Sequence, residues 1–205
     1  MKIFRAAGFI IAIAIIFVLI IGAYNVYIKE FIVNFIDEKL ELQEQPQIIP
    51  ATNIFDYIIA RNPKITTREV ADLVMYAYQL GEEHQIDPYQ ILAICDIEST
   101  FRLDPPVAAA GERGPMQLTP GVWALYYEQY GFRNSDFGNW ACNTKVATAH
   151  LKELLNQHKG DWKGAIGEYN GGPRWQKKRQ SLHHVKKFEV ASRGILLLRD
   201  KGRAI

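Results

Sequence analysis

Apolar residues are distributed along this chain in three ways, and each predicts a different kind of segment. From Ala6 to Ile28, AAGFIIAIAIIFVLIIGAYNVYI, 23 positions pass without a charge. At the α-helical rise that length covers a hydrocarbon core of roughly 30 Å, which predicts a transmembrane helix. From Glu30 to Pro50 apolar positions (Phe31, Ile32, Phe35, Ile36, Leu40) interleave with charges until Pro46 and Pro50 break the run. That pattern predicts a short amphipathic stalk. From Asn53 onward apolar residues recur three and four apart, the spacing of helices that bury one face.

Start signals divide this last part into elements. Thr66-x-x-Glu69 is a capping box, and Val70, Leu73, Val74 and Ala77 continue it into a helix from about Thr67 to His84. Asp87-Pro88 opens a helix to about Thr100, and Thr119-Pro120 opens one to about Tyr130. Asn143 is the candidate cap of a helix to about Gln157, with Val146, His150, Leu151, Leu154 and Leu155 on one side. A last helix is expected from Leu182 to about Leu198. Glycines and short apolar positions between Gly111 and Leu118 allow a small β-hairpin. The fold class is mostly α, divided into an anchor (1–28), a stalk (29–52) and a folded domain (53–205).

A chain of 205 residues, 48% hydrophobic and 22% charged, suffices for one well-buried domain and an appendage. The anchor is longer than the apolar core of a cleaved signal peptide, about 7 to 15 residues, and no A-x-A pattern closes it. Lys2 and Arg5 place its N-terminus in the cytoplasm and the folded domain outside, on an inner or virion membrane. The net charge of +2 says little about partners, but ten Lys or Arg lie between Arg174 and Arg203 against Glu189 and Asp200. No recognised motif joins that basic tail to nucleic acid, so no nucleic-acid partner is expected; an acidic wall polymer, the membrane surface or water suits it better. Cys95 and Cys142 have no metal-binding spacing. In an oxidising compartment they leave a disulfide open, although Cys95 sits on an apolar stripe where a free thiol acts as a small hydrophobe. The histidines, His183-His184 among them, show no pairing with acids at ligand spacing, so surface or cleft positions are the default.

Candidate chemistry starts at Glu98. Ile91, Ile94, Cys95 and Glu98 share one helical stripe, and Leu92, Ala93 and Ile97 make the helix apolar nearly all round. A carboxylate at the C-terminal end of such a helix has apolar neighbours and the negative end of the macrodipole, the setting of a general acid. Asp96 is turned about 200° away on the helix and cannot be its partner. Glu112 and Glu168 remain conceivable second carboxylates, Glu112 reading better as a loop charge.

Two further stretches carry polar recognition. Gly111-Glu-Arg-Gly-Pro-Met-Gln117 permits a tight reversal and close approach of a ligand, with Met116 and Gln117 as a soft apolar contact and an amide. Tyr169-Asn170 precedes a glycine pair, Gly171-Gly172, that reads as a turn. Neither is a phosphate loop, since no Gly-Lys-Ser or Gly-Lys-Thr follows.

Glu98-Ser99, then Gly111-x-x-Gly114-x-Met116-Gln117, a Thr119-Pro120 helix start, and an apolar helix leading to Tyr169-Asn-Gly-Gly-Pro173 together resemble the soluble-lytic-transglycosylase and goose-type-lysozyme-like enzymes, glycoside hydrolase family 23. The resemblance covers about residues 69–185. It implies a lysozyme-like helical fold, peptidoglycan glycan strands as substrate, and Glu98 as the catalytic glutamate. It further implies substrate-binding roles for Ser99, Met116, Gln117, Tyr169 and Asn170, with Gln117 near an N-acetyl group. Glu168 is added as a cleft charge or water-positioning carboxylate, and no metal or cofactor is implied. Pro115 stands where leucine is usual, Glu168 where a small residue is common, and His183-His184-Val185 where a Tyr-Val pair is often found. The reaction expected is cleavage of the MurNAc-GlcNAc bond with 1,6-anhydro-MurNAc ends; hydrolysis of the same bond and a non-catalytic wall-binding role are the alternatives.

Overall fold

The structure, a computed structural model, describes residues 53–202. The predicted anchor and stalk lie outside the described residues. Within those residues no helix is long and apolar enough to cross a membrane.

Seven α-helices make up the described part: α1 Ile54–Arg61, α2 Thr67–His84, α3 Pro88–Ser99, α4 Pro120–Tyr126, α5 Trp140–Gln157, α6 Trp162–Gly171 and α7 Arg179–Gly202. Short 3₁₀ turns at Tyr127–Tyr130, Asn134–Gly138 and Trp175–Lys177 join them. The predicted class, mostly α, is the observed one.

Local chemistry accounts for the ends. Thr66 accepts from the Glu69 amide at 3.2 Å while the Glu69 carboxylate accepts from the Thr66 amide at 2.8 Å, closing the capping box of α2. Asp87 accepts from the Tyr89 amide at 2.9 Å at the head of α3, and Thr119 from Val122 at 3.3 Å at the head of α4. The helix predicted to run to Tyr130 tightens into 3₁₀ after Tyr126 and stops at Gly131 in the left-handed region, φ 71°.

Three expectations need correction. Asn143 does not cap α5: Asn139 does, accepting from Ala141 and Cys142 at 3.0 and 3.1 Å, and Asn143 lies one turn inside the helix, fully buried. The last helix begins at Arg179, three residues before the predicted start. The hairpin reduces to one antiparallel bridge, Arg113 to Leu118, with reciprocal bonds of 3.1 and 2.9 Å. It cannot extend, because the Glu112 carbonyl turns back to the Ala108 amide and Thr119 already caps α4.

The core forms around α3. Ile91, Leu92, Ala93, Ile94 and Cys95 are all buried, so the helix has almost no solvent face, as its apolar pattern predicts. At about 1.5–3 kcal/mol for each buried Leu or Ile, this helix is a principal source of the domain's stability. It packs against α2 and α7, and α6 packs against α5 and α7. Among the described residues Asp96 is the one charged residue buried in this core; it accepts from the Tyr57 hydroxyl and Arg61 Nε of α1, both at 2.7 Å. That contact recruits α1, a helix the sequence reading passed over although Ile54 and Ile58 repeat at helical spacing.

Candidate active site

Glu98 occupies the last turn of α3, and its side chain is 12% exposed. Immediately after Ser99 the chain leaves the helix through two consecutive non-glycine residues in the left-handed region, Thr100 (φ 54°) and Phe101 (φ 56°). Such backbone costs on the order of 1–3 kcal/mol per residue and persists only where its surroundings fix it. Here Thr100 and Phe101 amides return to the Asp96 and Cys95 carbonyls at 2.9 and 3.1 Å, and the Phe101 ring is fully buried. The end of α3 is thereby locked, and Glu98 with it.

The His184, Tyr169 and Cys95 side chains all interact with the Glu98 carboxylate. His184 of α7 places Nε2 3.0 Å from Oε1, itself only 12% exposed. The Tyr169 phenol of α6 is held well above its ordinary range by burial first and then by the negative charge of Glu98. Burial likewise pushes up the Cys95 thiol, with Asp96 and Glu98 adding to the effect. Tyr169 and Cys95 are therefore neutral neighbours. Cys95 and Cys142 are both free thiols.

The loop from Gly114 to Leu118 is tied to this group from two sides. Tyr169 donates its hydroxyl to the Met116 carbonyl at 2.9 Å. Met116 itself is fully buried, with the Thr148 hydroxyl 3.6 Å from its sulfur. Gln117 also lies in the left-handed region, φ 49°, and its side-chain amide donates to the Gly114 carbonyl at 3.1 Å. Gly114 has φ 74°, and a Cβ there would fall 2.2 Å from Asn143 Oδ1, so only glycine fits against the buried asparagine.

The other expected site residues divide. Ser99 is buried, and its hydroxyl bonds to the Cys95 carbonyl of its own helix at 3.1 Å. Asn170 lies exposed near the end of α6, which continues through Gly171, so the Tyr-Asn-Gly stretch is helical and the turn begins only at Gly172 (φ 70°). Glu168 points to His158, whose Nε2 is 2.8 Å from Oε2. Glu112 accepts from the Ala110 amide at 3.1 Å within its own loop. The structure thus gathers Glu98, Tyr169, Met116 and Gln117 into one connected unit and pairs Glu168 elsewhere.

Sequence reasoning missed the histidines. Besides His184, His150 of α5 lies against Tyr169 with ring centroids 5.8 Å apart and meets the Tyr126 hydroxyl at 3.2 Å. No local spacing announces these contacts, since each partner comes from a different helix. Among the described residues no cluster of His, Cys, Asp and Glu could hold a metal ion. A separate groove of about 600 Å³, lined by Gln90, Lys152, Lys159, Trp162 and Arg199, has Asp87 as its one carboxylate, and Arg199 holds that residue.

Comparison with known proteins adds a family. The family model described as Transglycosylase SLT domain matches residues 75–191, more than half of the chain and the whole of the unit around Glu98. No curated protein sequence matches the chain. Among solved structures, an inactive mutant of the lytic transglycosylase Slt from Pseudomonas aeruginosa is similar, at 18% identity and a TM-score of 0.49. The match takes in 63% of this chain but 24% of that one, so the chain spans about a quarter of the length of that relative.

Proposed function

Because the chain belongs to the Transglycosylase SLT domain family, we propose that it is a peptidoglycan lytic transglycosylase with a lysozyme-like helical domain, and that Glu98 is its catalytic acid and base. The observation that carries the reading is the setting of Glu98: one carboxyl group, nearly enclosed at a locked helix end, beside Tyr169 and the Met116–Gln117 loop. Glu168, the alternative second carboxylate, is engaged by His158.

A single carboxyl group serves where the substrate supplies the rest, an exception to two-carboxylate glycosidase chemistry. Glu98 gives its proton to the oxygen between N-acetylmuramic acid and N-acetylglucosamine as the C–O bond breaks. The muramyl acetamido group shares the developing positive charge at C1. Glu98, now a base, takes the proton of the sugar's 6-hydroxyl as that oxygen bonds to C1, which gives the 1,6-anhydro ring without water. Met116 supplies its backbone rather than its side chain, since the side chain is buried; in this reading Gln117 and Asn170 supply the amides that recognise the N-acetyl sugar.

The sequence supports a location as well. The 23 uncharged residues from Ala6 to Ile28, behind Lys2 and Arg5, support a single-pass anchor that carries the domain outside the cytoplasm, where the wall lies.

Mass spectrometry of muropeptides from digested sacculi tests the reading. Anhydro-MurNAc ends are expected from the wild-type chain and none from Glu98→Gln. Reducing ends alone would replace it by a hydrolase, and undiminished digestion by Glu98→Gln would overturn the role of Glu98.

A further inference from the structure

We propose that the groove at the N-terminal end of α3 is a second glycan-binding site, which holds the peptidoglycan strand by its sugars and its stem-peptide carboxylates at a distance from Glu98. The proposal rests on peptidoglycan as the substrate. The groove, about 600 Å³, lies where the end of α2, the start of α3, the end of α5, the start of α6 and the C-terminal half of α7 meet. It shares no residue with the unit formed by Glu98, Tyr169, Met116 and Gln117. Gln90 in its wall and Glu98 stand on the same helix, roughly 12 Å apart along the axis at the α-helical rise.

Its walls carry the kinds of group that an acidic, N-acetylated sugar strand requires. Trp162 stacks on Phe188 with ring centroids 5.4 Å apart and planes 20° from parallel, which fixes its indole at the groove as an apolar surface for a sugar ring. The Gln90 side-chain oxygen accepts from the Ser192 hydroxyl at 2.8 Å, so its NH2 group is the donor left for a carboxylate or an N-acetyl carbonyl. Lys152 and Lys159 supply positive charge. Asp87, the one carboxylate of the groove, is held by Arg199, so those two charges offset each other. Among the described residues no carboxylate pairs with Lys152 or Lys159, and the groove keeps their charge.

Backbone conformation supports the same assignment. Among the described residues the non-glycine positions with positive φ are Thr100 and Phe101 after the Glu98 turn, Gln117 in the loop tied to Tyr169, and Gln85 (φ 53°) and Lys159 (φ 55°), which both line the groove. Strained backbone of this kind concentrates at ligand sites. Past Asp87 and Arg199 the groove runs on to Tyr78 and Tyr89, whose rings meet edge to face at 6.0 Å. An aromatic surface at each end suits an extended strand rather than a lone anion. Such a hold acts through effective concentration: while the groove keeps one stretch of an insoluble wall, another stays within reach of Glu98.

The test measures co-sedimentation of the full-length chain in detergent with isolated sacculi, in the Glu98→Gln background so that nothing is cleaved. Lys152→Gln with Lys159→Gln is expected to weaken binding at least roughly fivefold and to flatten its dependence on salt, with an unchanged melting temperature. Lys152→Arg with Lys159→Arg is expected to keep binding within about twofold. With Glu98 restored, the Gln pair should release anhydro-muropeptides from short soluble strands at the wild-type rate and from sacculi more slowly. Soluble glycan strands that carry stem peptides should displace the chain from sacculi at least roughly fivefold better than strands freed of stems by an amidase, and the Gln pair should abolish that difference. Undiminished binding by the Gln pair, or equal displacement by the two kinds of strand, overturns the proposal. Displacement by polyphosphate but by neither strand makes the groove a phosphate-polymer site and overturns it too. A chain with Glu98 intact that binds sacculi through the groove yet releases no anhydro-muropeptides upholds the groove and places the failure in the enzymatic reading.

Discussion

The Tyr169 hydroxyl reaches across from α6 and donates a hydrogen bond of 2.9 Å to the backbone carbonyl of Met116. This one bond joins the two stretches that read from the sequence as separate recognition motifs. It also seats the phenol beside Glu98, whose charge is one cause of the raised Tyr169 titration after burial.

Removing the hydroxyl alone separates packing from tethering. Tyr169→Phe keeps the ring against His150 but leaves the Met116 carbonyl without its donor. The unfolding free energy is expected to fall by about 1–2 kcal/mol, the usual cost of orphaning a buried polar group. Release of anhydro-muropeptides should fall further than the small unfolded fraction explains, because the Gly114–Leu118 loop loses its tie to α6. Thermal unfolding and rate measured together decide this; an activity loss no greater than the loss of folded protein would show that the bond only stabilises.

Much of the framework was legible because its causes are local. The capping box at Thr66 and Glu69, Asp87-Pro88 and Thr119-Pro120 act within one turn, and each helix begins where they predict. Asn143 misled because asparagine caps helices often, but its neighbour four residues earlier does so here. Asn143 is instead drawn inside, donating to the Phe137 carbonyl at 3.3 Å and standing against Gly114. Which asparagine caps depends on tertiary packing that spacing does not carry.

The site was half legible for the same reason. Glu98 announces itself by lying on an apolar stripe, a property of one helix. His184 and His150 gain their meaning only from α3 and from α4 and α6, so their sequence neighbourhoods look like those of surface residues. Glu168 was left open as a second carboxylate, and the contact that engages it, His158 at 2.8 Å, spans the loop between α5 and α6.

Close approach at Gly167 gives a sharper packing prediction. A Cβ on Gly167 would stand 2.2 Å from Trp175 Cδ2 and 2.4 Å from Cε3, and the Trp175 ring is buried. Gly167→Ala is therefore expected to cost about 1–3 kcal/mol through overpacking, lowering the melting temperature by several degrees. It should also displace Tyr169, two residues further along α6, and depress activity. Gly121→Ala is the control: nothing lies within 4 Å of its added Cβ, and it should be neutral or slightly stabilising in α4. Equal melting temperatures for the two variants would contradict the close packing of α6 on Trp175.

His150 supplies a prediction in pH. Burial lowers its titration from the ordinary 6.5, against the opposing pull of Glu153 and Glu168. The Tyr126 hydroxyl donates to the Glu153 carboxylate, so its oxygen is left to accept from Nδ1–H of the neutral ring 3.2 Å away. The unfolded chain takes up a proton near pH 6.5 that the folded chain resists. The stability from neutral His150 is thus fully present above that pH and is lost as pH falls through the lower folded value. His150→Phe keeps a ring against Tyr169 but removes the donor and the titration. Its unfolding free energy is expected to lie below wild type by about 1 kcal/mol near pH 7.5, with the gap narrowing near pH 5.5. His84, also lowered chiefly by burial, is present in both proteins and so cancels in the difference. Denaturant unfolding at the two pH values measures the gap directly; an equal gap at both would mean that His150 is not held neutral by the fold.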